Sequence, residues 1–352
     1  MFAVATLPFL DLAIADGSPV AIGVSGGKDS QAAALAAFRY LDQCGHVGPR
    51  ILVHADLGVV EWRDSLRICE ELAAHLGCEL LVVRRKAGDL MDRWEARWRS
   101  SIDRYAALET VTLVPCWSTP RMRFCTSELK THVIQAELRR RYKGQTVINA
   151  TGVRREESAA RSKATVADQG TVNDNFINWR PIVDWTVQEV FSAIDTSGLA
   201  PHPAYRDGGM SRVSCMFCIM SNIADLTAAA AQPESHELYR RMVELECESS
   251  FAFQGSRWLG DVAPQLLTGN LRDRLLVAKS TALWRTQAEA RITDGMLYVK
   301  GWPTRMLTDA EADILASVRS EIGALFGIEC ACLDRESIHE RYAELMRHRE
   351  AA

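Results

Sequence analysis

The sequence predicts a doubly wound α/β fold with a mainly parallel sheet, followed by a mostly helical C-terminal region. Three observations carry the prediction. Residues 20–24 form a short apolar run that ends in a Gly-Gly turn and passes into an alanine-rich helical pattern over 29–43. Two more apolar runs follow at 51–55 and 80–83, with a helix-spaced stretch at 61–76 between them. Short strands alternating with helices need crossover connections, so the strands should be parallel and the helices should cover both faces.

Further along, the signal weakens before it recovers. Over 84–123, Trp94 and Trp98 share a helix face, and Pro115 and Pro120 then enclose a loop that bears Cys116. Regular alternation resumes with a helix over 127–142, a strand over 146–151, and a capping box in which Thr186 precedes Glu189. The α/β domain is therefore expected over 1–225. Residues 226–352 read as a helical region, with a short strand at 296–300 and a second capping box from Thr308 to Glu311.

With 47% hydrophobic and 24% charged residues, the 352-residue chain has ample material for a core. No run approaches the roughly 18 apolar residues of a membrane helix, and Asp11 and Asp16 interrupt the apolar N-terminus. A chain that neither spans a membrane nor is secreted is expected. Its ten cysteines are too scattered for a disulfide framework and fit a reducing, cytoplasmic setting. The net charge of −4 conceals an asymmetry: residues 84–163 hold 18 Lys+Arg against 9 Asp+Glu. Such an excess suits either an anionic partner or a solvated surface.

The turn after the first strand reads Ser25-Gly26-Gly27-Lys28-Asp29-Ser30. Glycines there let backbone N–H groups approach phosphate oxygens, the helix N-terminus adds partial positive charge, and Lys28 adds a full one. The spacing is not that of the Walker loop of kinases and GTPases.

In this context the run resembles the PP-loop of the ATP pyrophosphatase superfamily, whose fold is adenine nucleotide alpha hydrolase-like. Further segments resemble its phosphoadenosine-phosphosulfate-reductase-like branch: His54-Ala55-Asp56-Leu57-Gly58, Arg123-Phe124-Cys125-Thr126 through Lys130, Gly152-Val153-Arg154 through Glu157, Ser158 and Arg161, Pro181 with Asp184-Trp185-Thr186, and Tyr205 to Cys218. The match covers roughly 18–225. It implies that Ser25 to Ser30 bind the phosphates of ATP that leave as pyrophosphate, with Asp56 near the nucleotide or its Mg²⁺. Gly152, Arg154, Glu157 and Arg161 would complete the nucleotide site, and Lys28, Asp29, Asp56 and Arg154 would act on the reacting phosphates. From the residues alone, Asp56 also suits a helix cap and either arginine a plain ion pair. Sulfonucleotide reductases of the branch commonly lack the loop lysine and carry a Glu-Cys-Gly-Leu-His element. This chain keeps Lys28 and offers only Glu329-Cys330-Ala331-Cys332, which favours ATP.

Cys215-Met216-Phe217-Cys218 has the two-residue spacing with which thiolates grip a metal centre from one turn. Cys125 is the third candidate ligand and Cys116 the fourth. Sulfur-inserting members of the superfamily hold a [4Fe-4S] cluster on such a set; structural Zn²⁺ and plain reduced thiols are the alternatives. The expected reaction is adenylation of an acceptor oxygen, releasing pyrophosphate, followed by replacement of that oxygen with sulfur. The basic stretch and the resemblance make a nucleic acid the expected acceptor, as in DNA phosphorothioation or RNA thiolation, with a sulfur donor protein such as a cysteine desulfurase. The alternatives are a sulfonucleotide reductase and an ATP-binding subunit with little chemistry of its own.

Overall fold

The computed structural model describes residues 2–170 and 175–351. The chain divides into two compact units, Met1–Leu90 with Pro120–His236, and Met91–Thr119 with Glu237–Ala352. The break expected at 225 thus lies at 236, and the second unit also takes up the tryptophan-bearing residues 91–119.

The first unit is built on six strands: β1 (Val20–Val24), β2 (Arg50–Asp56), β3 (Glu79–Arg84), β4 (Val147–Ala150), β5 (Ala167–Gln169) and β6 (Phe176–Trp179). Their order is β3-β2-β1-β4-β6-β5, all parallel except β5, which runs antiparallel to β6. In β1, Val20, Ile22 and Val24 face a core shared with the helices Pro8–Ala15, Lys28–Gln43 and Arg63–Leu76, while Ala21 faces Leu138 and Tyr142 on the other side. Apolar residues at both parities of one strand are what a sheet covered on both faces requires. The chain winds from β1 outward to β3, then returns to place β4 on the other side of β1. Val20 lies beside both Arg50 and Ile148. That reversal opens a crevice at the C-terminal ends of β1 and β4, the place where open α/β sheets bind ligands.

The second unit is helical, with Gly269–Glu289, Asp309–Phe326 and Arg335–Ala351 among its helices. One core gathers Met296, Leu315, Ile338 and Tyr342, and Trp94, Trp117 and Phe253 pack edge to face although far apart in sequence. The capping box of Thr308 and Glu311 forms as expected. The strand expected at 296–300 does not: Lys300 (φ 53°) and Gly301 (φ 87°) turn the chain back so tightly that only Val299 and Trp302 bridge. No helix among the described residues is long and apolar enough to cross a membrane.

Candidate active site

The phosphate-loop segment is shaped by close backbone approaches. Gly26 has φ +72°, and a Cβ on it would lie 2.8 Å from the Ser65 backbone, so only glycine fits there. Ser30 closes the turn: its hydroxyl donates to the Gly27 carbonyl at 2.8 Å and accepts from the Ser25 amide at 3.2 Å. Gly27 caps the helix Lys28–Gln43, whose first turn adjoins the crevice. Gly152, just past β4, packs against that turn, since a Cβ on it would meet the Asp29 carbonyl oxygen at 2.4 Å.

A cavity of about 350 Å³ occupies the crevice. Ser25, Gly27, Asp29 and Ser30 line it from the loop, Val53 and Ala55 from β2, Asn149 from β4, and Gly152, Glu157 and Arg161 from the segment after β4. The helical stretch after Cys125 contributes Thr126, Lys130, Thr131 and Gln135, and a later loop contributes Arg212, Val213 and Ser214. Lys130 belongs to a π turn, Ser127–Thr131, where the helix is locally widened. Neither Lys130 nor Arg212 has an ion pair among the described residues, whereas Arg161 is paired with Glu157.

Three residues expected at the phosphates lie elsewhere. Lys28 is 5% exposed and does not line the cavity; its ammonium sits 3.2 Å from Asp29 and 5.1 Å over the Tyr205 ring. The Lys28 amide donates to the Tyr205 hydroxyl at 3.1 Å, and that hydroxyl also accepts from Val213, tying the phosphate loop to the segment that bears Arg212. Burial pushes the Tyr205 phenol up to about 12, so it stays protonated. Arg154 is buried and clamps Asp29 at 2.7 Å, Glu156 at 2.5 Å and the Trp185 carbonyl at 3.2 Å. Burial works against its charge, but Asp29 and Glu156 outweigh it and hold the guanidinium pKa above the usual value. Arg154 thus fixes Asp29 rather than facing the cavity. Asp56 accepts from the Gly58 amide at 2.7 Å, capping its own turn, with Arg84 at 3.7 Å.

Two histidines beside these segments differ by surroundings. His54, at the end of β2, contacts the Val24 carbonyl at 3.1 Å and Glu61 at 3.2 Å. Burial alone would lower its pKa, yet Cys69 and Glu61 raise it to about 10. His202 accepts the Ala204 amide at Nδ1, and burial lowers it to about 4, leaving it neutral.

The cysteines only partly assemble. Burial pushes the Cys215 thiol pKa up, opposed by the Lys130 charge, and Cys218 and Cys125 lie close enough to raise it further. The Cys215 thiol therefore feels the Lys130 charge and both other candidate thiols. Among the described residues, however, no group of three or more His, Cys, Asp or Glu side chains is gathered closely enough to hold a metal ion. Cys116 belongs to the second unit, fully buried, with its thiol donating to Ser249 at 3.6 Å and raised by burial to about 12. The donor set expected for a cluster is thus not gathered among the described residues. The basic stretch is likewise divided: residues 91–119 fall in the second unit, and Arg140, Arg141 and Arg155 are paired with Glu137, Glu79 and Asp184.

A family model described as phosphoadenosine phosphosulfate reductase domain matches residues 19–221. The chain belongs to this family. Membership places it among enzymes of the PP-loop type, in agreement with the sheet order and the loop after β1. It is also 30% identical over 241 residues to an uncharacterized 37.8 kDa protein of Escherichia phage 186, a match that covers 60% of this chain and 70% of that one. Two solved structures overlay on it at 15% identity. One is a phosphoadenylyl-sulfate reductase from Candida auris, with a TM-score of 0.37 over 58% of this chain and 85% of that one. The other is a U34-tRNA thiolase from Methanococcus maripaludis with its [4Fe-4S] cluster, with a TM-score of 0.34 over 71% and 82%.

Arg212 is a cavity cation that the sequence reading did not name, while Lys130 entered it as the end of the motif around Cys125 and not as a site residue. Lys130 is one helical turn beyond Thr126, and Arg212 stands three residues before Cys215, so both lie inside the motif segments; spacing alone does not separate them from the other basic residues there.

Proposed function

We propose that the chain uses MgATP to adenylate an acceptor oxygen and so prepares that position for sulfur. The observation that carries the reading is the cavity at the reversal of the sheet, lined by a glycine-rich loop, the first turn of a helix, and two cations, Lys130 and Arg212, without ion pairs among the described residues. In the reaction, the acceptor oxygen attacks the α-phosphorus, and its proton passes to water. The bond to the bridging oxygen breaks, and pyrophosphate leaves with that electron pair. Lys130, Arg212 and the helix N-terminus stabilise the charge that builds on the leaving group. Hydrosulfide, supplied by a donor such as a cysteine desulfurase acting with a thiol reductant, then attacks the atom bearing the activated oxygen, and AMP departs with that oxygen. A nucleic acid is the acceptor this reading favours, as DNA phosphorothioation or RNA thiolation would require.

One observation favours a second reading. Lys28, the residue that argues for ATP over a sulfonucleotide, is buried against Asp29 and away from the cavity, which leaves room for a phosphoadenosine phosphosulfate reductase. The two readings separate in a single comparison. The full chain is given MgATP with duplex DNA or tRNA and assayed for pyrophosphate, and given phosphoadenosine phosphosulfate with dithiothreitol and assayed for sulfite. Acceptor-dependent pyrophosphate release, reduced more by Arg212→Ala than by Lys28→Ala, supports adenylation. Sulfite without pyrophosphate transfers the site to reduction.

A further inference from the structure

The helix Gly269–Glu289 is apolar on two opposite faces. Leu271, Leu275, Ala278 and Ala288 are buried within the second unit. On the outer side, Leu276, Val277, Leu283 and Trp284 are 62, 66, 66 and 62% exposed. At about 100° per residue, Leu276 and Leu283 fall within about 20° of each other, as do Val277 and Trp284. They form two parallel rows with the exposed Ser280 between them. A contiguous exposed apolar strip of this kind marks an interaction surface more often than a solvated one. Lys279 reaches Asp261 at 2.6 Å and Arg285 reaches Glu289 at 2.8 Å, which leaves the strip uncharged between Leu276 and Trp284, with Asp273 beyond one end of it.

From this pattern we infer that the outer face of Gly269–Glu289 is a dimer interface, covered by the same helix of a second copy of this chain running antiparallel to it. The face is self-complementary about Ser280. A two-fold axis there sets Leu276 against the partner's Trp284 and Val277 against the partner's Leu283, and the small serine lets the helices approach at the crossing point. The same axis sets Asp273, exposed at one end of the strip, against the partner's Gln287, whose amide can donate to the carboxylate. A parallel pairing would instead bring the two Asp273 carboxylates together, which disfavours it. Four side chains of this exposure present roughly 500 Å² per copy, within the range of the largest apolar patch on a typical monomer. Two copies bury about 1,000 Å² in all, the lower edge of a specific interface, so the dimer should be a micromolar one.

The test is sedimentation or light scattering of the full chain from about 1 to about 200 µM, the range in which an interface of this size associates. The mass is expected to rise from 39.1 kDa toward twice that value. Leu276→Lys with Leu283→Lys should hold it at the monomer value, with an unchanged melting temperature as the control for folding. Gln287→Lys should do the opposite, tightening the dimer about fivefold through two new pairs with Asp273. A wild-type chain that stays at the monomer mass at every concentration overturns the inference, as does a dimer that survives the double substitution or is loosened by Gln287→Lys.

Discussion

Gly152→Ala is the sharpest perturbation of the site, because it adds one methyl group where three backbone atoms already stand. The new Cβ would lie 2.4 Å from the Asp29 carbonyl oxygen, 2.5 Å from its carbon and 2.8 Å from the Ser30 nitrogen. Comfortable contact begins near 3.5 Å, so the end of β4 and the first turn of Lys28–Gln43 must separate by about 1 Å. No flexible side chain can absorb the shift, and the Arg154–Asp29 clamp resists it. Overpacking of this kind costs about 2–3 kcal/mol, a fall of about 5–10 °C in the first unit's melting temperature. Displacing this cavity-lining turn by about 1 Å should also lower turnover about 100-fold. The assays are thermal unfolding and nucleotide-dependent pyrophosphate or sulfite release. Gly269→Ala provides the contrast: its Cβ meets nothing within 4 Å, so it should be neutral or stabilising by up to about 1 kcal/mol. A Gly152→Ala chain that melts within about 1 °C of wild type and turns over normally would refute the contact at the switch point and the site built on it.

Arg154→Met should destabilise the chain by about 1–3 kcal/mol in urea titration: it removes the cation shared by Asp29 and Glu156, but Asp29 keeps Lys28 at 3.2 Å and Glu156 is half exposed to water. Arg154→Lys should recover only part of this, because one ammonium cannot replace a planar guanidinium bonded to two carboxylates and the Trp185 carbonyl. The raised His54 pKa makes stability depend on pH: its contribution is fully present below the unfolded value of 6.5 and is lost as pH climbs through about 10. The urea midpoint should therefore fall between those limits, and His54→Gln should flatten the slope. Cys116, fully buried with its thiol raised to about 12, should resist alkylation of the native chain at about pH 8, while exposed Cys44 reacts first; mass spectrometry of the labelled peptides reads the order.

Much of the first unit was legible in the sequence, because its signals are local. The run 20–24 coincides with β1, and the alanine-rich pattern after it forms Lys28–Gln43, since apolar spacing and glycine placement act over a few residues. The strands β5 and β6 escaped notice for the same reason: three and four residues long, with Asp168 and Asn178 inside them, they depend on pairing with a neighbour rather than on their own pattern. The motif residues Ser25, Gly27, Asp29, Ser30, Gly152, Glu157 and Arg161 do meet at one cavity, as their order along a parallel sheet implies. What the sequence by itself determined, then, was the chemistry available and the sheet edge at which it collects. Only the tertiary structure decided which charges line the cavity. Lys28, Arg154 and Asp56 are drawn to partners brought close by the fold, while Lys130 and Arg212 remain on the cavity wall. Whether a charge is spent inside the protein or left for a substrate depends on distances between residues far apart in the chain, and no local pattern encodes those distances.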